Sequence, residues 1–140
     1  MTRTSSLLAA VATCLVVAPI ATAADLTVTV EGIAQTQGSI MLGLFDEATY
    51  EGDGAVEGAI IQVETDTVTV TFEGLEPGEY AVRLYHDLND DGEMNTNPFG
   101  IPTEPYAFSN DARGRFGPAK WNDAKFALEG ETGVHTITMN

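Results

Sequence analysis

The stretch from Asp87 to Glu93 places carboxylate and amide side chains at alternating positions ahead of a glycine. It reads Asp-Leu-Asn-Asp-Asp-Gly-Glu, which matches the first half of an EF-hand calcium loop. When such a loop curls, oxygens of alternate residues converge, the glycine permits the sharp turn, and the seventh residue presents its backbone carbonyl. The pattern predicts Asp87, Asn89 and Asp91 as side-chain ligands of Ca²⁺. Glu93 would supply the carbonyl.

The second half of this stretch departs from the EF-hand pattern. Position twelve, which requires a bidentate glutamate, is Pro98, and no helix is predicted on either side. Two interpretations remain open: a shorter calcium loop closed by a distant carboxylate such as Glu104 or Asp111, and an ordinary turn rich in Asn, Asp and Gly. Asn95 or Asn97 could add a further ligand. For such a calcium site we expect weak binding, with a Kd on the order of 10⁻⁴ to 10⁻³ M.

Positive charge is concentrated shortly after this loop. Four of the six basic residues of the chain lie between positions 113 and 125: Arg113, Arg115, Lys120 and Lys125. Two guanidinium groups so close together could bind a carboxylate or phosphate of a ligand. Alternatively, they could pair with acidic residues of the chain itself.

Aromatic residues are frequent in the same half of the chain. They are Phe99, Tyr106, Phe108, Phe116, Trp121 and Phe126. Such rings either form an exposed binding surface or anchor a loop to the core. We predict a surface for a small ligand, a glycan or a partner protein, formed by His86, Tyr106, Arg113, Arg115 and Trp121.

Catalytic motifs are sparse. After the first 23 residues the chain has two histidines and two serines, and it contains no G-x-S-x-G, no H-E-x-x-H and no glycine-rich phosphate loop. A hydrolase would have to use His86, Asp87 and Arg113 in one pocket. We therefore predict a non-enzymatic binding or interaction module with a calcium-assisted loop. The first alternative is a purely structural spacer domain, and the second is a hydrolase with its site at one end of the fold.

The N-terminus has the features of a secretory signal peptide. Arg3 precedes an uncharged apolar stretch at positions 7–20, and Ala21-Thr22-Ala23 is an acceptable cleavage site. We predict a signal peptide over residues 1–23 and one domain over residues 24–140. This domain would be exported to the periplasm or secreted, without membrane insertion after cleavage. The only cysteine, Cys14, would leave with the signal peptide, so the domain would have no disulfide.

The predicted domain is strongly acidic. Without Arg3 it carries five basic and 21 acidic residues, a formal charge of −16. Such a surface repels nucleic acids and anionic membranes and attracts cations. We therefore predict no nucleic-acid partner.

Apolar residues of the domain recur with a period of two, which is typical of β-strands. Seven such runs, rich in β-branched and aromatic residues, cover positions 26–30, 40–44, 60–63, 68–73, 80–85, 125–128 and 134–139. Turn residues separate them, and Thr65-Asp66 is predicted to be a tight hairpin. We predict an all-β fold, a seven-stranded antiparallel β-sandwich. A long ordered loop from Asp87 to about Lys120 would link its fifth and sixth strands, and short helical turns are possible at 46–50 and 103–110.

Several short sequences resemble one bacterial family. They are Leu-Glu-Pro-Gly-Glu-Tyr-Ala-Val at 75–82, His86-Asp87 with the loop that follows, Gly100-Ile101-Pro102, Phe-Ser-Asn-Asp-Ala-Arg-Gly at 108–114, and Phe116-Gly117-Pro118 followed by Trp121 and Phe126. From about Leu26 to Met139 the chain resembles the exported proteins named "domain of unknown function 2141". The resemblance implies a transthyretin-like (prealbumin-like) β-sandwich and no established activity. The turn before Tyr80 is also similar to surface-protein B-type repeats and carboxypeptidase regulatory domains, which implies a binding or spacer role.

Overall fold

The computed structural model describes residues 22–139. Apart from its last two positions, the predicted signal peptide lies outside the described residues. Within them the chain forms these elements in order: β1 (Ala24–Glu31), β2 (Ser39–Phe45), β3 (Glu57–Gln62), β4 (Val68–Leu75), β5 (Gly78–Asp87), β6 (Tyr106–Phe108), a 3₁₀ turn (Ser109–Asp111), α1 (Trp121–Ala124), β7 (Phe126–Leu128) and β8 (Thr132–Thr138). Over the same residues no helix has the length and apolar character needed to cross a membrane.

The strands form two sheets, which confirms the all-β prediction. One sheet has the order β4-β1-β8. The other has the order β3-β2-β5-β6, and β7 also pairs with β5. Each of the seven predicted runs overlaps one of these strands, because alternation with a period of two puts one set of side chains on one face of a sheet.

A shared hydrophobic core takes buried residues from both sheets. In β1, Leu26 and Val28 are buried in this core, while Thr27 and Thr29 on the other face are partly exposed. In β2, Leu42 and Leu44 contribute from the other sheet. The fold is therefore β-sandwich-like, with an interior built from the apolar positions of the alternating pattern.

Two details of the predicted topology are wrong. β1 pairs with β8 in parallel, so the fold is not purely antiparallel. The stretch around Thr65-Asp66 is not a hairpin, because β3 pairs with β2 whereas β4 pairs with β1 in the other sheet. Alternation identifies strands, but it does not state which strands pair, because every strand offers the same backbone donors and acceptors.

The segment after β5 contains more regular structure than predicted. β6 and the 3₁₀ turn lie where only a loop or a helical turn was expected, so the described residues contain eight strands. β6 is three residues long, too short for an alternating pattern to reveal. The helical turn considered at 46–50 is a hydrogen-bonded turn, in which Tyr50 N–H donates to Asp46 O at 3.0 Å.

β5 is covered on both faces. Val82 and Leu84 face the shared core, whereas Ala81 packs into a second cluster on the outer side of the sheet. This outer cluster consists of Phe45, Tyr50, Ala81, Phe108, Ala119, Trp121 and Ala124. The segment that follows β6 thus packs against the outer face of the five-stranded sheet, which fixes its position relative to the loop after β5.

Candidate functional site

The predicted calcium loop begins at the end of β5, where Asp87 is 1% exposed. Its carboxylate accepts two backbone hydrogen bonds, from Asp91 N–H at 3.2 Å and from Gly92 N–H at 2.7 Å. Positive φ angles at Asp90 (54°) and Gly92 (79°) turn the chain back toward this carboxylate. The loop therefore curls as the sequence pattern predicts, around a buried acidic side chain.

Three polar side chains converge above this turn. The Asn89 amide donates to Asp91 Oδ2 at 3.0 Å and to Asn95 Oδ1 at 3.1 Å, and the Asn95 amide donates to Asp91 Oδ2 at 2.9 Å. The hydrogen bond from Asn95, followed by that from the Glu93 N–H, lowers the pKa of Asp91 from its ordinary value. Asp91 is thus the acceptor at the centre of a network of amide donors.

Glu104 closes the loop from a distance. It is 6% exposed, and its two oxygens accept Leu88 N–H at 2.9 Å and Asn95 N–H at 3.0 Å. Asp111, the other carboxylate considered for this role, instead accepts Thr138 N–H at 2.8 Å on β8. Glu104 therefore ties both ends of the loop to the strand that follows.

The loop is rich in negative charge. Tyr85 donates its hydroxyl to Gly92 O at 3.1 Å. Burial raises the pKa of Tyr85, and four nearby carboxylates raise it further, those of Asp87, Glu104, Asp91 and Glu93. Within residues 22–139 the one ion pair joins Lys125 to Glu79, so no basic side chain of that part of the chain neutralises the loop.

The oxygens that would hold calcium are at present engaged in hydrogen bonds. In the described part of the chain, no group of three or more His, Cys, Asp or Glu side chains is arranged to hold a metal ion. The donor set would instead need the amides of Asn89 and Asn95, which now present nitrogen toward Asp91. A half-turn of each amide would present oxygen, and carboxylate and amide oxygens are the ligands that Ca²⁺ prefers.

A cavity of about 390 Å³ lies beside the loop and shares Glu104 with it. Its lining includes Thr103, Glu104, Tyr106, Phe108, Asp111 and Arg113. The Tyr106 ring is 45% exposed. Within residues 22–139 Arg113 has neither a hydrogen bond nor an ion pair, so its guanidinium donors are available to a ligand.

Strained backbone in the 3₁₀ turn leads the chain to Arg113. Asn110 and Asp111 are both left-handed, with φ of 59° and 50°. The side-chain amide of Asn110 donates to Asp123 O at 3.1 Å and to Lys125 O at 2.8 Å. The backbone N–H of Asn110 donates to His135 Nε2 at 3.1 Å. These contacts offset the cost of an unfavourable conformation and join the segment to α1, to Lys125 just before β7, and to β8.

A close turn follows Arg113. A side chain at Gly114 would collide with the backbone, since an added Cβ would lie 1.7 Å from Gly117 O. Only glycine therefore permits the chain to fold back directly after the cavity. The glycine that ends the sequence Phe-Ser-Asn-Asp-Ala-Arg-Gly at 108–114 is thus required by the geometry of the turn.

The other residues of the predicted surface are not brought to this cavity. His86 is buried, and its Nε2–H donates to Gln37 O at 2.6 Å. Trp121 is buried in the outer cluster, where the centroid of its ring lies 5.4 Å from that of the Tyr50 ring. Arg115 is exposed and does not line the cavity. The set of His86, Asp87 and Arg113 that a hydrolase would need is therefore not assembled in one pocket.

A second hollow, of about 460 Å³, lies over the outer cluster and is lined by Trp121, Tyr50, Arg83 and Lys120. Arg83 is already engaged, since it donates to Tyr50 O at 2.8 Å and lies 4.8 Å from the Phe45 ring centroid. Arg83 therefore has fewer donors left for a ligand than Arg113 has.

The sequence matches one protein family. The profile of a family described as "Uncharacterized protein conserved in bacteria (DUF2141)" covers residues 28–136. The chain belongs to this family. No curated protein and no solved structure matches the chain significantly. The matched residues include the calcium-like loop, the 3₁₀ turn, and the cavity residues from Thr103 to Gly114.

Sequence reasoning missed Ser109 as an organising residue. Its buried hydroxyl accepts Val82 N–H at 2.8 Å and donates to Ala124 O at 2.5 Å. The sequence alone does not show that a serine in a loop is buried. The hydrogen bonds of Ser109 follow from the packing of the outer cluster.

Proposed function

We propose that this DUF2141 protein is an exported, non-enzymatic binding module with a transthyretin-like β-sandwich fold. Its ligand site would be the cavity at Arg113 and Tyr106, and the Asp87 loop beside it would be stiffened by Ca²⁺. The single observation that carries the proposal is the free guanidinium of Arg113 in a cavity of a very acidic chain.

Glu104 supplies the connection between the loop and the cavity. Its side chain fastens Leu88 and Asn95, while the residue itself lines the cavity next to Tyr106. Any change in the loop's stiffness would therefore be transmitted to one wall of the site. A rigid wall reduces the conformational entropy that is lost when a ligand binds.

The charge of the loop favours a cation. Asp87 and Glu104 are buried carboxylates whose partners are backbone N–H groups rather than basic side chains. Buried charges are costly unless they are paired or bind a metal ion. Bound Ca²⁺ would supply the missing positive charge, with Asp87, Asn89, Asp91 and the Glu93 carbonyl as ligands and Asn95 as a further one.

Thermal unfolding of the protein without residues 1–23 tests the calcium part. At a free calcium concentration ten times Kd the folded state gains about 1.4 kcal/mol, which raises the Tm by several degrees for a domain of this size. Magnesium should have a smaller effect, because it demands stricter octahedral geometry. Asp91→Asn should abolish the shift.

Asp53→Asn is the matched control, since it makes the same charge change at an exposed turn residue outside the loop. It should retain the calcium shift. If calcium leaves the Tm unchanged, or if both variants lose the shift equally, the loop is an ordinary turn. The spacer alternative would be favoured if, in addition, no ligand were found at Arg113.

A further inference from the structure

One edge of β6 is open. His86 N–H donates to Pro105 O at 2.8 Å, and the register pairs Leu84 with Ala107. In an antiparallel ladder hydrogen-bonded pairs alternate with pairs whose N–H and C=O groups point away. Tyr106 and Phe108 are therefore the residues whose backbone groups point away from β5.

Tyr106 and Phe108 both line the cavity. Among residues 22–139 no hydrogen bond outside the strand ladders uses the N–H of either residue as donor, and the ladder register turns both N–H groups away from β5. An unpaired strand edge is a template for a further strand, since its donors and acceptors repeat with the spacing of an extended chain.

The cavity is bounded at the carboxyl end of β6. The chain turns there through Ser109–Asp111 and then runs along the same cavity at Arg113. Arg113 is the only cationic residue of the lining. Asp111 is held toward β8 by its bond from Thr138 N–H, so a ligand that reaches this end meets a guanidinium with unused donors.

We infer that the cavity binds the free carboxyl end of an extended peptide, which adds as a strand parallel to β6. The parallel direction brings the terminal carboxylate to Arg113, where a guanidinium can form two parallel hydrogen bonds with it. Tyr106 N–H and Phe108 N–H donate to carbonyl groups of the peptide. The inference rests on the proposed function and specifies its ligand.

A peptide end fits this lining better than a simple anion. The chain's large negative charge disfavours small anions that bind through charge alone. A peptide adds backbone hydrogen bonds, which do not depend on net charge, and an apolar side chain that can lie on the exposed Tyr106 ring. The volume of about 390 Å³ is within the range of ligand sites.

The experiment is an NMR titration of the protein without residues 1–23. The probe is a pool of N-acetylated pentapeptides of random sequence with free carboxyl ends, and the comparison is the same pool with amidated ends. We expect the amide signals of Tyr106 and Phe108 to shift with the free pool. Binding of the amidated pool should be roughly tenfold weaker, since one charge-assisted contact is lost.

Arg113→Ala should weaken binding of the free pool to the level of the amidated pool. Arg115→Ala is the matched control, because Arg115 is exposed in the same segment but does not line the cavity. It should bind like the unchanged protein. Equal Tm values of both variants would show that folding is unaffected, as expected for side chains without partners.

Three results would overturn the inference. Equal binding of the free and amidated pools would show that no carboxylate is recognised. A mixture of neutral oligosaccharides that shifts the signals around Arg113, while neither peptide pool does, would leave the binding function standing and reject strand addition. If no probe produces a shift, both the inference and the proposed ligand site are rejected.

Discussion

The framework from β1 to β5 and the excursion from 88 to 125 are ordered by different interactions. In the framework, backbone ladders join neighbouring strands and apolar side chains alternate into the shared core. The excursion is held instead by side chains that accept backbone N–H groups, those of Asp87 at the end of β5 and of Glu104 and Ser109 within the excursion. A polypeptide can therefore be well ordered without regular structure when polar side chains satisfy its backbone.

This difference has a functional consequence. Inner strands such as β1 and β2 pair on both sides and have few backbone groups left for a ligand, whereas an irregular segment can leave selected donors open. The excursion contains both the short strand β6, with its open edge, and Arg113. The regular framework holds these groups in place, and the excursion presents them.

The largest effects on stability are expected when a large side chain is removed from the shared core or from the outer cluster. Leu44→Ala removes a fully buried side chain of the shared core, so we expect the free energy of unfolding to fall by about 2–5 kcal/mol for the whole domain. Trp121→Ala should cost about 3–5 kcal/mol in local packing, but it should mainly loosen the outer cluster. Hydrogen exchange measures how far the loosening spreads. In Trp121→Ala the amides at 109–125 should exchange faster, while those of β1 stay protected. Uniform acceleration in both variants would contradict two separable regions.

An intermediate effect is expected at Ser109. Ser109→Ala leaves Val82 N–H buried without its acceptor, so we expect a loss of about 1–3 kcal/mol of stability in chemical denaturation. Ser39→Ala is the matched control. The Ser39 hydroxyl donates to the exposed Asp90 carboxylate at 2.7 Å, which water can solvate in its absence. Similar losses in both variants would refute the view that Ser109 anchors the excursion to β5.

The smallest effect is a pH dependence at His135. Burial lowers the pKa of His135 below 6.5, and the nearby Asp111 carboxylate partly opposes this shift. The neutral His135 ring stacks on Phe126 and accepts a hydrogen bond from the backbone N–H of Asn110. The unfolded chain then binds a proton at pH values where the folded chain does not, so stability falls as the pH drops below 6.5. His135→Gln should flatten the Tm between pH 7 and pH 5.5 relative to the unchanged protein. An identical slope in both proteins would assign the dependence to other groups.

Much of the framework could be predicted because its signal is local. Alternation of Leu26, Val28 and Val30 with threonines marks a strand whatever its partners are. The turn at 75–78 likewise falls between β4 and β5. The parallel pairing of β1 with β8 could not be predicted, because it depends on which distant strand supplies the neighbouring backbone.

The candidate site was only partly predictable. The aspartate pattern predicted a curled loop, and Glu104 was one of two carboxylates considered for closing it. His86 and Trp121 of the predicted surface are both buried, His86 at the end of β5 and Trp121 in the outer cluster. The open edge of β6 had no sequence signal, because three residues are too few to show a period.

By itself the sequence determined an acidic all-β domain, a carboxylate-lined loop after the fifth strand, and membership of the DUF2141 family. These properties depend on residue types and short-range spacing. The tertiary structure alone decided that Glu104 closes the loop, that Arg113 has no ion pair within residues 22–139, and that the β6 residues Tyr106 and Phe108 line the same cavity. Such contacts join residues that are distant along the chain, and their geometry is set by how the two sheets and the outer cluster pack.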